Sequence, residues 1–182
     1  LDLPGFGAPP APERAIGARE YAEMLVPVLD EFDEPPIVVG HSFGGRIAVC
    51  LAAAHPDAIS GILVTGAPLV RLSRPANPAL GFRVARTLNR IGVLGDTTIE
   101  RMRKRRGSAD YRAASGVMRE ILVKVVNEEY HDELAMLRHD LNLLWGSQDR
   151  DVPVAVAHES ARIVEESGGT AHVEVLEGVG HL

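Results

Sequence analysis

The chain has 182 residues, 46% of them hydrophobic and 24% charged, which excludes a disordered segment and fits one folded domain. A net charge of −6 gives no electrostatic footing for nucleic acid or an anionic membrane surface. The single cysteine, Cys50, excludes an internal disulfide, and no apolar run reaches the roughly 18 residues that a membrane-spanning helix needs.

In chain order, Leu1 to Leu3 reads as the end of a strand. Pro4, Gly5, Phe6 and Gly7 supply turn chemistry ahead of a Pro/Ala-rich loop that reaches Pro12. From Ala15 to Phe32, the residues Tyr21, Leu25, Val28, Leu29 and Phe32 recur at spacings of three and four, which predicts an amphipathic helix, and Pro27 predicts a kink in it. Pro35 and Pro36 end that element. Ile37, Val38 and Val39 then form a short apolar run, the pattern of a strand buried on both faces of a parallel sheet. A helix follows from about Gly44 to His55, lined by Gly45, Ala48, Ala52 and Ala53, whose small size lets it lie close on a sheet. Cys50 falls among these alanines and reads as a small buried hydrophobe rather than a nucleophile. Gly61 to Gly66, Leu141 to Trp145 and Val173 to Leu176 predict three further strands. Strand and helix alternate, so the fold class is α/β, a mostly parallel sheet flanked by helices.

One insert breaks the alternation. Residues 69–140 contain no convincing strand, which divides the chain into a core of 1–68 and 141–182 and a helical lid of 69–140. Leu80, Val84, Leu88 and Ile91 share one helical face; Met118, Ile121, Leu122 and Val125 share another. Thr97 to Glu100 fits a capping box, and Arg101, Arg103, Lys104, Arg105 and Arg106 form a basic run that reads as a solvated helix face before it reads as an anion site.

The most informative stretch is Ile37 to Gly45, where an apolar strand runs into Gly40-His41-Ser42-Phe43-Gly44. A strand that ends in G-x-S-x-G and turns at once into a helix pushes its central residue toward positive φ, and the glycines two positions away relieve the crowding. Such a turn lifts the Ser42 hydroxyl off the sheet edge beside a helix N-terminus, where backbone N–H groups favour developing negative charge; the amide of Phe43 is the candidate oxyanion donor. A serine hydroxyl is a poor nucleophile near neutral pH and needs a base oriented by a third group.

These residues resemble the α/β-hydrolase fold superfamily, in its lidded, esterase-like serine-hydrolase branch. Leu1-Asp2-Leu3-Pro4-Gly5-Phe6-Gly7 is similar to the signature of that family's fourth strand, and Gly40 to Gly44 to its nucleophile elbow. Trp145 to Pro153 is similar to the acid loop after the seventh strand, and Gly178-Val179-Gly180-His181 to the histidine turn after the eighth. By that match Ser42 is the nucleophile, His181 the general base and acid, and Asp149 the residue that orients the imidazole. Asp151 lies two residues on and is the other carboxylate within reach; the family's geometry favours Asp149. His41 neighbours the serine, points away from it at such a turn, and is read as a supporting or packing residue. His55, His131, His139, His158 and His172 fall in no motif.

The resemblance also implies a third strand between the one ending at Leu3 and the one at Ile37, with a loop that supplies the second oxyanion N–H. Neither is in this chain, both ends of which read as cut, and the 182 residues alone are expected to be unstable. The implied activity is cleavage of a carboxylic ester or related acyl bond of a small, partly apolar substrate, with the lid setting substrate choice. The alternatives are a carbon–carbon bond hydrolase with the same triad and a hydrolase-like ligand receptor. No metal-ligand spacing and no glycine-rich phosphate loop is present, so no cofactor and no metal are expected. A small-molecule substrate is the expected partner, the composition leaves the oligomeric state open, and one cysteine without a leader segment points to the cytoplasm.

Overall fold

The computed structural model describes residues 1–72 and 114–182. The expected faces of Leu80 to Ile91, the capping box at Thr97 and the basic run from Arg101 lie outside the described residues. The chain packs as two units, one holding Leu1–Ala15 with Ser73–Val123 and the other holding Ile16–Leu72 with Lys124–Leu182.

In the first unit, the expected strand end at Leu1 to Leu3 makes only an isolated bridge between Leu3 and Phe6. The local turn takes its hydrogen-bonding groups: Phe6 N–H donates to Leu3 O at 2.8 Å, and Ala8 N–H donates to Asp2 Oδ2 at 3.1 Å.

In the second unit, the elements are α1 (Ala18–Leu29), β1 (Ile37–His41), α2 (Phe43–Ala54), β2 (Gly61–Thr65), α3 (Gly116–Val125, whose last two residues belong here), α4 (His131–Ala135), β3 (Leu141–Gly146), α5 (Val154–Glu166) and β4 (Ala171–Leu176). The four strands form one parallel sheet in the order β1-β2-β3-β4, with Val39 opposite Leu63, Val64 opposite Leu143 and Leu143 opposite Val173. Alternate residues Ile62, Val64, Leu141, Leu143 and Trp145 are buried, each contributing ~1.5–3 kcal/mol through the apolar surface it removes from water. Helix α2 packs on β1 and β2, α5 on β3 and β4, α4 against both helices, and α1 on α2. The small residues Gly45, Ala48 and Ala52 are buried, as a helix lying close on a sheet requires.

Two expectations fail here for reasons of tertiary context. Ile37 and Val39 are each 67% exposed, not buried on both faces, because β1 is the outer strand of the described sheet and is paired only with β2. Helix α1 stops at Leu29, with Pro27 in its last turn, so Phe32 falls in the following turn and is exposed. At its start, Gly17 N–H donates to Glu20 Oε2 and Ala18 N–H to Glu128 Oε2, which satisfies amides that the helix itself leaves unpaired. Among the described residues, no helix is long and apolar enough to cross a membrane.

Candidate active site

The strand-to-helix turn at Ser42 has the strain expected of it. Ser42 sits at φ 51°, the one non-glycine residue at positive φ among the described residues, where Cβ crowds the backbone. Its N–H donates to Thr65 O at 2.9 Å, which ties the turn to the end of β2. A Cβ at Gly40 would lie 2.5 Å from Gly44 O and 2.7 Å from Gly45 Cα, so only glycine lets the helix start this close to the strand. The expectation that Gly44 must also be small is corrected: a Cβ there meets nothing within 4 Å among the described residues. The demanding partner is Gly45, whose Cβ would lie 2.6 Å from Ala67 Cβ and 2.8 Å from Val64 Cγ1, because that residue faces the sheet. Phe43 opens α2, and its ring meets Tyr21 edge-on at 5.3 Å.

The acid and the histidine are joined. Asp149 follows β3 and is 7% exposed; its Oδ2 accepts a hydrogen bond from His181 Nδ1 at 2.8 Å. Its Oδ1 accepts from the amides of Asp151 at 2.9 Å and Val152 at 2.8 Å. The carboxylate therefore has three donors, and among the described residues the imidazole's Nε2 has no hydrogen-bond partner. Asp151 contributes its backbone amide to this arrangement while its own residue is exposed.

Two loops must meet to bring these residues together, and hydrogen bonds between them do so. Ser147 N–H donates to Leu176 O at 2.9 Å and Gln148 N–H to Val179 O at 2.8 Å. Ser147 Oγ accepts from Gly178 N–H at 2.9 Å and donates to Glu177 Oε2 at 3.1 Å. A Cβ on Gly146 would lie 2.4 Å from Val179 O and 2.6 Å from Gly180 O, so the approach of the loops depends on the missing side chain. Ser147 and Gly146 escaped the sequence reading as positioning residues; the glycine at the strand end was the available signal.

The sites of Ser42, Asp149 and His181 all follow the carboxyl ends of parallel strands, the edge at which open α/β sheets hold their ligands. His181 rests against Gly66, the residue after Thr65, and Thr65 O anchors Ser42. Among the described residues no hydrogen bond joins Ser42 Oγ to His181. Catalytic hydrogen bonds are often long before substrate binds, so a serine not bonded to the histidine and a joined Asp149–His181 pair are compatible with one centre.

Behind the turn, α2 is anchored by Arg46. This side chain is buried, donates from Nη1 to Val125 O at 2.6 Å, and lies 5.8 Å from the centroid of the Tyr130 ring. Burial lowers the guanidinium from its ordinary value and raises the Tyr130 phenol, and Glu128, which accepts from Tyr130 Oη at 2.9 Å, favours the charged arginine. The one group of His, Cys and carboxylate side chains close enough to share a cation among the described residues is Asp149, Asp151 and His181. Three donors already fill most of the acceptor sites of the Asp149 carboxylate, so its oxygens serve the histidine and the loop.

Comparison with known proteins gives the family. Residues 1–182 match the alpha/beta hydrolase family. Among curated proteins, lipase LipV of Mycobacterium tuberculosis is 45% identical over 65 residues, which cover 35% of this chain and 24% of that protein. Among solved structures, a membrane phospholipase A described as a bacterial virulence factor superposes with a TM-score of 0.68 at 22% identity, covering 100% of this chain and 62% of that one. The meta-cleavage product hydrolase of Pseudomonas fluorescens IP01 superposes with a TM-score of 0.62 at 18% identity, covering 99% and 71%. The chain thus spans less than two thirds of the lipase and of the phospholipase, and the two structural likenesses are likenesses of fold. A match over all 182 residues, on a parallel sheet with the strained serine turn after its first described strand, makes this chain a member of the alpha/beta hydrolase family.

Proposed function

We propose that the chain carries the acyl-transfer centre of a serine hydrolase that cleaves a carboxylic ester or related acyl bond of a small, partly apolar substrate. The observation that carries this reading is the pair of buried Asp149 and half-buried His181 on the same sheet edge as the strained Ser42. In this mechanism Ser42 Oγ attacks the substrate carbonyl while His181 Nε2 takes its proton. Asp149 holds Nδ1–H and so keeps Nε2 as the acceptor, then stabilises the imidazolium once it forms. The Phe43 amide, in the first turn of α2, donates to the oxyanion of the tetrahedral intermediate. The intermediate collapses as His181 protonates the departing alcohol. Water then enters, gives its proton to His181 and attacks the acyl-enzyme; the second tetrahedral intermediate collapses as His181 returns that proton to Ser42 Oγ, which releases the acid and restores the free serine and neutral histidine. No step calls for a metal or cofactor. A cytoplasmic setting fits a single buried cysteine without a disulfide.

The test is labelling of the protein with a fluorophosphonate, with Ser42→Ala alongside, followed by a panel of p-nitrophenyl esters of rising chain length. Labelling confined to Ser42, and turnover abolished by Ser42→Ala, is the expected result; turnover at the wild-type rate in that variant removes the serine from the mechanism. The likeness to a protein named as a meta-cleavage product hydrolase gives the carbon–carbon reading its one support. Hydrolysis of the esters with none of a dienone acid decides against it.

A further inference from the structure

We propose that His41 is a positioning residue for His181, an aromatic wall that sets the direction of the catalytic Nε2. The proposal rests on the role given to His181 above. His41 ends β1, directly before Ser42, and its ring centroid lies 4.8 Å from that of His181 with the planes inclined at 50°. Gly66 closes the same slot: a Cβ built on it would stand 3.0 Å from Cε1 of His181 and 3.0 Å from Cε1 of His41. Gly66 is at φ 56°, so both its backbone conformation and the space beside it call for glycine.

The geometry says why such a wall is needed. Asp149 holds the imidazole at one atom, Nδ1, and a single hydrogen bond leaves the ring free to swing about its own axis. Cε1, the carbon between the two ring nitrogens, lies beside Gly66, and the His41 ring stands next to the same imidazole, so glycine and ring together limit where Nε2 can point. No hydrogen bond from His41 to another described residue accompanies the contact, which makes ring surface the working element. The same construction refers base and nucleophile to one frame. The Cα of His41 is paired with Thr65, Thr65 O receives the Ser42 N–H, and Gly66 comes next. A shift of His41 therefore moves the serine turn and the face of its base together.

The experiment compares wild type, His41→Ala and His41→Phe in the protein. Three readouts are taken: kcat and KM on p-nitrophenyl butyrate, the fraction of sites that a fluorophosphonate titrates, and the His181 Cε1–H resonance. His41→Ala is expected to lower kcat by roughly 10- to 100-fold with KM within about twofold, the cost of a base displaced by a fraction of an ångström. All sites should still titrate, and the His181 resonance should move as the neighbouring ring current is lost. His41→Phe, which keeps a ring, should return kcat to within about threefold of wild type. A His41→Ala enzyme with kcat within twofold of wild type, an unmoved His181 resonance, or a deficit that His41→Phe does not repair each overturns the inference while leaving the Ser42 reading in place. A loss of titratable sites that accounts for the whole fall in kcat makes His41 merely structural and overturns it as well. A wild-type protein that the fluorophosphonate does not label overturns the reading of Ser42 itself, and with it this role for His41.

Discussion

Replacing Asp149 with asparagine separates the stability of the site from its chemistry. The carboxylate faces two backbone donors through Oδ1 and the imidazole through Oδ2. An asparagine can keep its oxygen on the amides of Asp151 and Val152, which points its NH₂ group at His181 Nδ1. The imidazole must then accept at Nδ1 and carry its proton on Nε2, so it can no longer take the proton of Ser42. The flipped amide would present NH₂ to two N–H groups and leave both unsatisfied in a buried place, at ~1–3 kcal/mol each. The first orientation wins, and it is the inactive one. We therefore expect Asp149→Asn to unfold in urea close to wild type while kcat on p-nitrophenyl butyrate falls by about 10³ to 10⁴, or ~4–5.5 kcal/mol. Among the described residues Asp151 is bound to this arrangement by its backbone amide and its carboxylate accepts no hydrogen bond, so Asp151→Asn should stay within about tenfold, less than ~1.4 kcal/mol. Both rates should be normalised to titrated sites. An Asp149→Asn enzyme within tenfold of wild type, or a larger loss in Asp151→Asn, refutes the assignment.

Gly146→Ala puts a methyl group against Val179 O and Gly180 O, and we expect ~1–3 kcal/mol of lost stability together with reduced kcat as the two loops part. A variant with unchanged Tm and kcat would show that the approach is not tight. Burial raises the Cys50 thiol from 9.0 to about 12, so near pH 8 the folded protein holds ~10³-fold less thiolate than an exposed cysteine would. Native protein should resist a disulfide reagent that reacts fully in urea, and prompt stoichiometric labelling of the native state contradicts the burial. Trp145 Nε1 donates to Val152 O at 2.8 Å in the core, so Trp145→Phe strands that carbonyl; circular dichroism, which does not need the chain's one tryptophan, should show a loss of ~1–3 kcal/mol. A loss under ~0.5 kcal/mol would mean that the carbonyl finds another donor.

The sequence by itself determined what local sterics and local pattern control. The strained serine turn was legible because G-x-S-x-G between an apolar strand and a small-residue helix leaves Ser42 little choice of φ. The strands at Gly61, Leu141 and Val173 were legible as apolar runs, and the order of serine, acid and histidine came with the motifs. Periodicity says which residues share a face, whereas cover depends on what lies across from that face. Ile37, Val39 and Phe32 therefore had the pattern of buried residues and are exposed, whereas Gly45, read as one of the small residues that let the helix lie close on the sheet, is pressed on it. Asp149 and Asp151 were equally close along the chain; the tertiary structure separated them by burying one carboxylate against three donors. The contact of His41 with His181 is of the same kind. Those rings are 140 positions apart in sequence and meet because the segment after β4 reaches back along the sheet edge to the end of β1, where the glycine that follows β2 leaves room.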